Sequence, residues 1–383
     1  MNTNRLRGRV FHLASIILAL LVLGVLAFAV QIPEQALNKA NPRVQEIMAV
    51  QEAVTPDLMS IPDVLGTAVG EDFDGEMALL VYVNLEGKNP GAAIRSIPPR
   101  LRGKRVTIEL TDPFRAMVKG KPPGKPDKPG KPDEPGDGEE VDHRAIQDPP
   151  IQLGTSGGWR YDIANGYCCG GTLGSLIQVG GTQYILSNYH VFESDIVLGG
   201  NNRVATTGDP VIQPGLIDVG CDAAGAQDVA TLVISSSLSD HNVDASIAKI
   251  ISGQVSPDGS ILEIGTISAE TVDAYISQAV KKSGRTTGLS RSKITGLNGT
   301  VMVSYDYECA GGTAFTKTFT GQIMIANKRS KFLAGGDSGS LMVEDVDANP
   351  RAVGLLYAGS KTLAVANPID EVLDFFDATM VGY

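Results

Sequence analysis

The stretch Gly335-Gly336-Asp337-Ser338-Gly339-Ser340 decides how the chain is interpreted, and it is followed by the apolar run 341–343. A serine hydroxyl becomes a nucleophile when a base takes its proton and nearby N–H groups hold the developing oxyanion. Gly336 permits backbone angles that aim amides inward, and Gly339 leaves room for a substrate. The pattern by itself predicts either a nucleophilic Ser338 or an ordinary acidic turn.

Four histidines are candidates for the base. His12 lies in an N-terminal apolar segment, and His143 follows a proline-rich segment. His241 lies in a polar stretch that is typical of a surface turn. His190 ends a strand-like run where that run meets a turn. A histidine in that position is ordinarily a structural one, but beside a Gly-Asp-Ser-Gly stretch His190 is the favoured base.

Several short pieces stand in the order histidine, aspartate, serine. They are Gly170-Gly171-Thr172-Leu173-Gly174-Ser175-Leu176-Ile177, Leu186-Ser187-Asn188-Tyr189-His190-Val191, Val243-Asp244-Ala245-Ser246-Ile247-Ala248, Ser283-Gly284-Arg285-Thr286-Thr287-Gly288, Gly336-Asp337-Ser338-Gly339-Ser340 and Val353-Gly354-Leu355-Leu356-Tyr357-Ala358-Gly359. With these pieces, residues 150–383 resemble the chymotrypsin-like (trypsin-like) serine proteases, especially their secreted bacterial branch. The chain departs from the family's usual Ala-Ala-His-Cys, because Val191 replaces the cysteine, and Ser340 replaces a common glycine.

The resemblance implies a Ser-His-Asp triad made of Ser338, His190 and Asp244, with the backbone amides of Gly336 and Ser338 as the oxyanion hole. It implies an all-β protease domain of two antiparallel six-stranded β-barrels with a C-terminal helix, and a site in the cleft between the barrels. Neither a metal nor an organic cofactor is expected in this chemistry.

Two aspartates that begin strand-like runs compete for the third position of the triad. Asp228 follows His190 by 38 residues and Asp244 follows it by 54. The shorter spacing leaves little chain for the intervening hairpin. The small Ala245 after Asp244 also lets the histidine pack closely, so we favour Asp244.

Asp337 needs a cationic partner if it is buried. In the resembled family a buried cation orders the oxyanion loop, and the secreted bacterial members use an internal one. Lys282 and Arg285 are the candidates here. The alternative interpretation is that both are surface charges beside a turn.

The resemblance implies a protein or peptide substrate. Counting back six residues from Ser338 places Phe332 at the base of the specificity pocket, with no acidic residue nearby to attract lysine or arginine. We therefore expect no strict preference for cleavage after a basic residue. The alternative is a preference for acidic side chains in the substrate, which Arg329 and Lys331 would favour. The other predicted substrate-binding residues are Tyr357, Ala358 and Gly359.

Residues 1–30 read as a targeting segment. Arg5, Arg7 and Arg9 precede an almost wholly apolar run, and Ala27-Phe28-Ala29 matches a small-residue cleavage site. The run is also long enough to span a bilayer. A cleaved export signal and an uncleaved single-span anchor remain open, and either predicts a secreted or periplasmic location.

Residues 31–118 predict a small α+β, pro-region-like domain, with a helix over Pro42–Ala53 and strands over Leu65–Val69, Met77–Val83 and Arg105–Leu110. We expect it to contact the protease domain as a folding aid, inhibitor or placement module, with a plain spacer as the alternative. Residues 119–144 predict a disordered linker rich in proline, glycine and lysine.

The protease region, 145–383, carries 14 Lys and Arg against 24 Asp and Glu, or −10 of the chain's net −11. An acidic domain gives no electrostatic case for binding nucleic acid. Short runs separated by turn residues indicate many strands. They are Thr172–Val179, Gln183–Leu186, Val229–Ile234, Ala245–Ile250, Ile261–Ile267, Val301–Tyr305, Phe315–Ile325, Ser340–Val343, Ala352–Tyr357 and Leu363–Ala366.

A helix is predicted at the C-terminus. Asn367 is its expected cap and Pro368 its first residue. Its apolar face is Ile369, Val372, Leu373 and Phe376.

Export makes disulfides plausible for the four cysteines, Cys168, Cys169, Cys221 and Cys309. A bond between the adjacent pair is strained, so we expect one of that pair to bond Cys221. Cys309 is then either bonded to the remaining cysteine of the adjacent pair or free. Zinc is the disfavoured interpretation, because the paired C-x₂-C spacing is absent.

Together these features predict an exported serine endopeptidase. One alternative is a protease-like protein that only binds, although such proteins usually lose a triad residue. The other is an envelope quality-control protease, which carries a peptide-binding domain after the protease. The 45 residues that follow Ser338 leave no room for that domain.

Overall fold

The computed structural model describes residues 36–117, 119–121, 141–164, 167–193, 203–235, 237–305 and 314–383. The predicted export signal or anchor, most of the predicted linker and Cys309 lie outside these ranges. Within them, no helix has both the length and the apolar character needed to cross a bilayer.

The described chain is mostly β-strand with few helices. The first strands are β1 Val64–Glu71, β2 Met77–Asn84, β3 Arg100–Leu101, β4 Lys104–Thr111, β5 Phe114–Ala116 and β6 Lys119–Lys121. Next come β7 Thr155–Trp159, β8 Ile163–Ala164, β9 Tyr167–Leu173, β10 Ser175–Val179, β11 Thr182–Ser187, β12 Pro210–Gln213, β13 Gln227–Val233 and β14 Ser246–Ile250. The last are β15 Ala279–Lys282, β16 Ser290–Tyr305, β17 Phe315–Ala326, β18 Leu341–Glu344, β19 Ala352–Gly359, β20 Leu363–Pro368 and β21 Thr379–Met380. The α-helices are α1 Pro42–Met59, α2 Pro90–Ser96, α3 Tyr189–Phe192, α4 Ser237–Asp240 and α5 Ile369–Phe376.

The strands of the described ranges form an eleven-stranded and a ten-stranded sheet. The first runs in the order β15-β18-β19-β20-β17-β16-β1-β2-β4-β3, with β5 beside β16 and β19. The second runs β21-β10-β11-β14-β13-β12-β7-β9-β6, with β8 beside β9. The family resemblance predicts six strands in each barrel, and β1 to β5 extend the first sheet beyond that number.

The N-terminal strands continue the sheet of the C-terminal region, whereas the sequence predicts a small separate domain over 31–118. β1 pairs antiparallel with β16, with Gly66 opposite Val301. Gly66 permits this approach, because a Cβ there would lie 2.5 Å from the carbonyl oxygen of Thr300. Residues 37–383 accordingly cluster as one compact unit.

Helix α1 covers this part of the sheet. Asn41 caps it by accepting a hydrogen bond from the Arg43 amide, and Pro42 begins it. It runs past the predicted end at Ala53 to Met59. Its buried residues recur at helical spacing and are Val44, Ile47, Gln51, Val54, Thr55 and Leu58.

Gln51 is the polar member of that buried face. Its Nε2 donates to Thr67 Oγ1 at 3.0 Å and to the Asn298 carbonyl oxygen at 2.9 Å. Asn298 Nδ2 in turn donates to Gln51 Oε1 at 2.7 Å. Because a buried amide is costly unless it is hydrogen-bonded, these contacts fix α1 against both β1 and β16.

Two predicted strands differ from the structure. The chain turns at Ile261–Ile267, with isolated bridges only, because Glu263 and Gly265 adopt positive φ and interrupt the extended run. The run Thr172–Val179 is divided at Gly174 into β9 and β10. A Cβ on Gly174 would lie 2.0 Å from the Gly339 carbonyl oxygen, so the chain passes directly against the Ser338 turn there.

Both ends of the predicted linker have defined contacts. Lys119–Lys121 forms β6, which pairs antiparallel with β9. His143 is buried, and its ring nitrogens contact the Gly154 carbonyl oxygen at 2.7 Å and Glu263 Oε2 at 2.6 Å. Backbone pairing requires no apolar side chains, so composition alone did not indicate the ordered strand at 119–121.

The substitution Gly66→Ala tests the junction between β1 and β16. The added methyl group has no space against the Thr300 carbonyl, so we expect unfolding to become easier by about 1–3 kcal/mol, the usual cost of overpacking. Urea unfolding of the full chain measures this. Gly91→Ala in α2 is the matched control, because its Cβ would meet nothing closer than 3.4 Å. Equal stability of the two variants would contradict the tight junction.

Candidate active site

His190 and Asp244 are brought together by the pairing of β11 with β14. The last residue of β11, Ser187, lies opposite the first residue of β14, Ser246. Because the strands are antiparallel, the residues that follow β11 and those that precede β14 meet at one edge of the sheet. His190 Nδ1 lies 2.6 Å from Asp244 Oδ2, and both side chains are buried. A carboxylate only accepts hydrogen bonds, so Nδ1 carries the proton and Nε2 of the neutral ring is left as an acceptor.

Asp244 is fully buried and is held by several donors. Tyr305 donates its hydroxyl to Asp244 Oδ2 at 2.8 Å, and the His190 amide donates to Oδ1 at 3.3 Å. Burial, with the neighbouring Asp244 charge, raises the pKa of Tyr305 well above its ordinary value. Tyr305 is therefore a permanent donor, which stabilises the ionised carboxylate.

The backbone of Asp244 is fixed as well. Asn188 Nδ2 donates to the Asp244 carbonyl oxygen at 2.6 Å, and the backbone amide of Asp244 donates to Asn367 Oδ1 at 3.0 Å. Asn367 is the residue predicted to cap the last helix. That helix instead begins at Ile369 without a side-chain cap. The side-chain amide of Asn367 is hydrogen-bonded elsewhere, since its Oδ1 accepts from the Asp244 amide and its Nδ2 donates to Gln322 Oε1.

Asp228, the competing aspartate, lies elsewhere. Its side chain is 42% exposed and pairs with Arg160 on the surface of the sheet. Of the two aspartates, only Asp244 contacts His190 in the described structure.

Ser338 lies where the two sheets meet. Its carbonyl oxygen accepts from the Thr172 amide of β9 at 2.8 Å. The next amide, that of Gly339, donates to the Leu356 carbonyl oxygen of β19 at 3.0 Å. Gly339 has φ +91°, and a Cβ on it would lie 2.2 Å from Ser187 Oγ. The glycine is required because strands of both sheets close on this turn.

The Ser338 hydroxyl donates to the Tyr357 carbonyl oxygen at 3.1 Å. His190 Nε2 is buried and has no hydrogen-bond partner among the described residues. The bond between histidine and aspartate is thus formed in this structure, and the bond between serine and histidine is not.

The amides of Gly336 and Ser338 converge on one atom, the carbonyl oxygen of Met117. The distances are 2.5 Å from Gly336 N and 3.4 Å from Ser338 N. Gly336 adopts φ +101°, which turns its amide toward that of Ser338. These are the two amides that the sequence predicts as an oxyanion hole.

The predicted substrate-binding residues fall into two groups. Tyr357, Ala358 and Gly359 lie on β19, where Ala358 pairs with Ala116 and Gly359 with Arg115 of β5. Phe332 is buried, and its backbone is bonded to Asn327 Oδ1, Thr287 Oγ1 and Ser290 Oγ.

Asp337 is fully buried and lies beside Lys282, whose Nζ is 3.3 Å from Asp337 Oδ1. The carboxylate also accepts from the amides of Thr286, Thr287 and Ala334, and from Thr287 Oγ1. Burial lowers the pKa of Lys282, and the Asp337 charge opposes that shift. Gly284 is required here, since a Cβ on it would lie 2.9 Å from Asp337 Oδ1.

Arg285, the second candidate partner, forms a bidentate pair with Asp218. Its Nε and Nη2 lie 2.7 and 2.5 Å from the two carboxylate oxygens. No sequence signal indicates Asp218, because its contact with Arg285 joins residues 67 positions apart.

A disulfide joins Cys168 and Cys221, with Cα atoms 5.5 Å apart. This is one of the pairings that the sequence leaves open, and it ties β9 to the turn after Leu216–Asp218. The alternatives for Cys309 lie outside the described residues.

Comparison with known proteins gives no family model and no curated protein that matches the chain. Solved structures do match, each with probability 1.00. A glutamic acid specific serine protease, described as using a novel histidine triad in substrate binding, has a TM-score of 0.39 and 18% identity, over 60% of this chain and 100% of its own. Protease A of Thermobifida fusca has a TM-score of 0.37 and 19% identity, over 56% and 92%. A chymotrypsin of Cellulomonas bogoriensis has a TM-score of 0.34 and 18% identity, over 55% of this chain and 91% of its own. All three TM-scores lie below 0.5.

Lys282→Met tests the buried pair with Asp337. Removing one partner leaves the other charge buried and uncompensated, so we expect a loss of about 3–5 kcal/mol in unfolding free energy. Lys293→Met is the matched control, because Lys293 is exposed on the strand that pairs with β15. Urea unfolding compares the two. A loss below about 1 kcal/mol for Lys282→Met would mean that the pair is not what stabilises the turn.

Proposed function

We propose that the chain is an exported serine endopeptidase with Ser338 as nucleophile, His190 as base and Asp244 as the group that orients His190. The observation that carries this proposal is the convergence of the Gly336 and Ser338 amides on a peptide carbonyl oxygen beside the Ser338 hydroxyl. Two donors aimed at one carbonyl oxygen are what acyl transfer requires in the transition state. The buried pair of His190 and Asp244 supports it further.

In this mechanism the Ser338 hydroxyl rotates toward His190 Nε2 and attacks the carbonyl carbon of a bound peptide. His190 takes the hydroxyl proton, and Asp244 stabilises the imidazolium that forms. The oxyanion is held by the amides of Gly336 and Ser338. His190 then gives its proton to the leaving amine, and a water molecule repeats the sequence on the acyl-enzyme.

Other finer predictions belong to the same proposal. They are export to a secreted or periplasmic location, a protein or peptide substrate without a strict basic preference, and two six-stranded barrels. The two-barrel arrangement is supported by the placement of His190 after β11 and of Ser338 before β18, on different sheets.

One observation favours a second candidate, a protease-like protein that only binds. The Ser338 hydroxyl is bonded to the Tyr357 carbonyl oxygen and not to His190. Catalytic hydrogen bonds often tighten only when a substrate is bound, so we prefer the enzyme.

A fluorophosphonate probe separates the two candidates. The probe reacts with a serine that a base has activated, so we expect it to label the full chain at Ser338, with the site assigned by peptide mass spectrometry. Ser338→Ala should abolish labelling. Ser340→Ala should retain it, because the Ser340 hydroxyl only donates to the Asp337 carbonyl oxygen. A chain that is never labelled at Ser338 would favour the binding protein.

Asp244→Asn and Asp228→Asn form a matched pair that tests the third position of the triad. Asparagine at the orienting position stabilises the wrong histidine tautomer, and we expect turnover of a peptide substrate to fall by about 10⁴-fold for Asp244→Asn. Asp228→Asn only weakens an exposed ion pair and should stay within about tenfold of the unsubstituted chain. An inactive Asp228→Asn beside an active Asp244→Asn would reverse the assignment.

A further inference from the structure

Tyr305 contacts the same carboxylate oxygen of Asp244 that faces His190. Its hydroxyl donates to Asp244 Oδ2 at 2.8 Å, and His190 Nδ1 lies 2.6 Å from that atom. The rings of Tyr305 and His190 meet edge to face, with centroids 5.8 Å apart and planes at 68°. One oxygen atom therefore accepts from two donors, so the phenol acts on the bond between the imidazole and the carboxylate.

The phenol is held rigidly in this position. Tyr305 is 1% exposed and ends β16, where it pairs with Phe315, the first residue of β17. The two rings are stacked, with centroids 4.8 Å apart and an interplanar angle of 5°. Backbone pairing and ring stacking thus fix the direction of the hydroxyl before any substrate binds, which is what an orienting contact needs.

The hydrogen bond from Tyr305 also crosses from one sheet to the other. Asp244 lies two residues before β14 of the ten-stranded sheet, whereas Tyr305 belongs to β16 of the eleven-stranded sheet. The eleven-stranded sheet also contains β18, which follows the turn with Ser338. Tyr305 therefore ties the pair of His190 and Asp244 to the sheet that carries Ser338.

The other phenols that the Asp244 charge reaches are neutral wherever an imidazole titrates. Burial, with the charges of Glu193 and Asp244, raises the pKa of Tyr189 to about 12. Burial, with the charges of Asp244 and Glu371, raises the pKa of Tyr357 well above its ordinary value. Glu193 and Glu371 are thus the other carboxylates that act on these phenols, and the phenols themselves are fixed neutral groups.

We propose that Tyr305 is a positioning residue of the triad, which holds the Asp244 carboxylate for His190 and limits how strongly that carboxylate stabilises the imidazolium. This inference rests on the proposed protease function. The hydrogen bond from the phenol shares the negative charge of Oδ2, so less of that charge acts on the imidazole. Without the hydroxyl, the carboxylate attracts the imidazolium more strongly. The base then stays protonated, and inactive, up to a higher pH.

The substitution Tyr305→Phe removes the hydroxyl and keeps the ring that stacks on Phe315. We expect the acid limb of the pH profile of kcat/KM for a peptide substrate to move up by about 0.5–1 pH unit, the scale of one hydrogen bond. Below the midpoint, kcat/KM should fall by about 3–10-fold, because less of the base is neutral.

Tyr82→Phe is the matched control. The Tyr82 hydroxyl is buried in the same apolar cluster as Tyr305 and has no hydrogen-bond partner in the described part of the chain. Its removal should leave the midpoint of the profile unchanged. Far-UV circular dichroism and urea unfolding show that each variant is folded.

A purely structural role for Tyr305 gives a different result. Tyr305→Phe would then lower kcat/KM by one factor at every pH, with the midpoint unchanged, and this outcome would overturn the inference. Equal shifts for Tyr305→Phe and Tyr82→Phe would overturn it as well, because the shift would not come from the bond to Asp244.

A second measurement needs no turnover and separates this inference from the proposed function. Proton NMR of the full chain observes the proton on His190 Nδ1, assigned by its absence from His190→Ala, and its pH titration reports protonation of the ring. We expect the midpoint of this titration to rise in Tyr305→Phe by the same amount as the acid limb.

The two measurements together distinguish the outcomes. If the midpoint does not rise while the unsubstituted chain cleaves peptides with dependence on Ser338, the inference is overturned and the protease stands. If the midpoint rises but no sample cleaves peptides or is labelled at Ser338, the protease function is overturned, and Tyr305 still acts on the pair of His190 and Asp244. If neither the rise nor the cleavage occurs, both proposals are overturned.

Discussion

The turn that carries Ser338 depends on one buried carboxylate, that of Asp337. A carboxylate without water is stable only when donors or a cation replace its hydration. Asp337 accepts hydrogen bonds from three backbone amides and from the Thr287 hydroxyl, and it forms an ion pair with the ammonium group of Lys282. Most of these partners lie in residues 282–287. The hydrogen bonds and the ion pair that stabilise the Asp337 carboxylate therefore hold the turn 335–340 against that segment. The amides of Gly336 and Ser338 point to one place because the residue between them is immobilised.

The second constraint is the contact between sheets at Thr172. Its amide donates to the Ser338 carbonyl oxygen, and its hydroxyl donates to the Gly336 carbonyl oxygen at 2.9 Å. Its own carbonyl oxygen accepts from Ser187 Oγ at 2.8 Å, three residues before His190. One residue of β9 thereby connects the turn that carries Ser338 with the strand that leads to His190. Positioning of a base against a nucleophile to a fraction of an ångström needs this kind of direct link between rigid elements.

Local chemistry in the sequence predicted the three residues that we propose as the triad. Ser338 was indicated by glycines whose positive φ and close approach the structure then shows. His190 and Asp244 were indicated by their places at strand ends, because strand ends are where antiparallel pairing brings distant residues to one edge. The choice of Asp244 over Asp228 used loop length, a quantity that the sequence does contain.

What the sequence lacked was any signal for contacts made across the fold. Tyr305 and Asn367 are both bonded to Asp244, yet they stand 61 and 123 residues from it. Neither residue type is specific for that role, and Asn367 had a satisfactory local explanation as a helix cap. The same holds for Met117, which contacts the amides of Gly336 and Ser338 through its carbonyl oxygen, an atom that every residue possesses.

The N-terminal region is attached to the C-terminal sheet by main-chain pairing and by apolar packing. Its strand β1 is hydrogen-bonded to β16 by main-chain pairs. Tyr82 and Phe114, from this region, are buried in one apolar cluster with Tyr357 of the site. Ring centroids of Tyr82 and Phe114 lie 5.8 Å apart in an edge-to-face contact. Burial of these apolar side chains in one cluster stabilises the attachment of the N-terminal region to the sheet that carries Tyr357. The predicted contact of 31–118 with the protease region therefore has a physical basis in main-chain pairing and apolar packing, and the function of that contact stays a prediction.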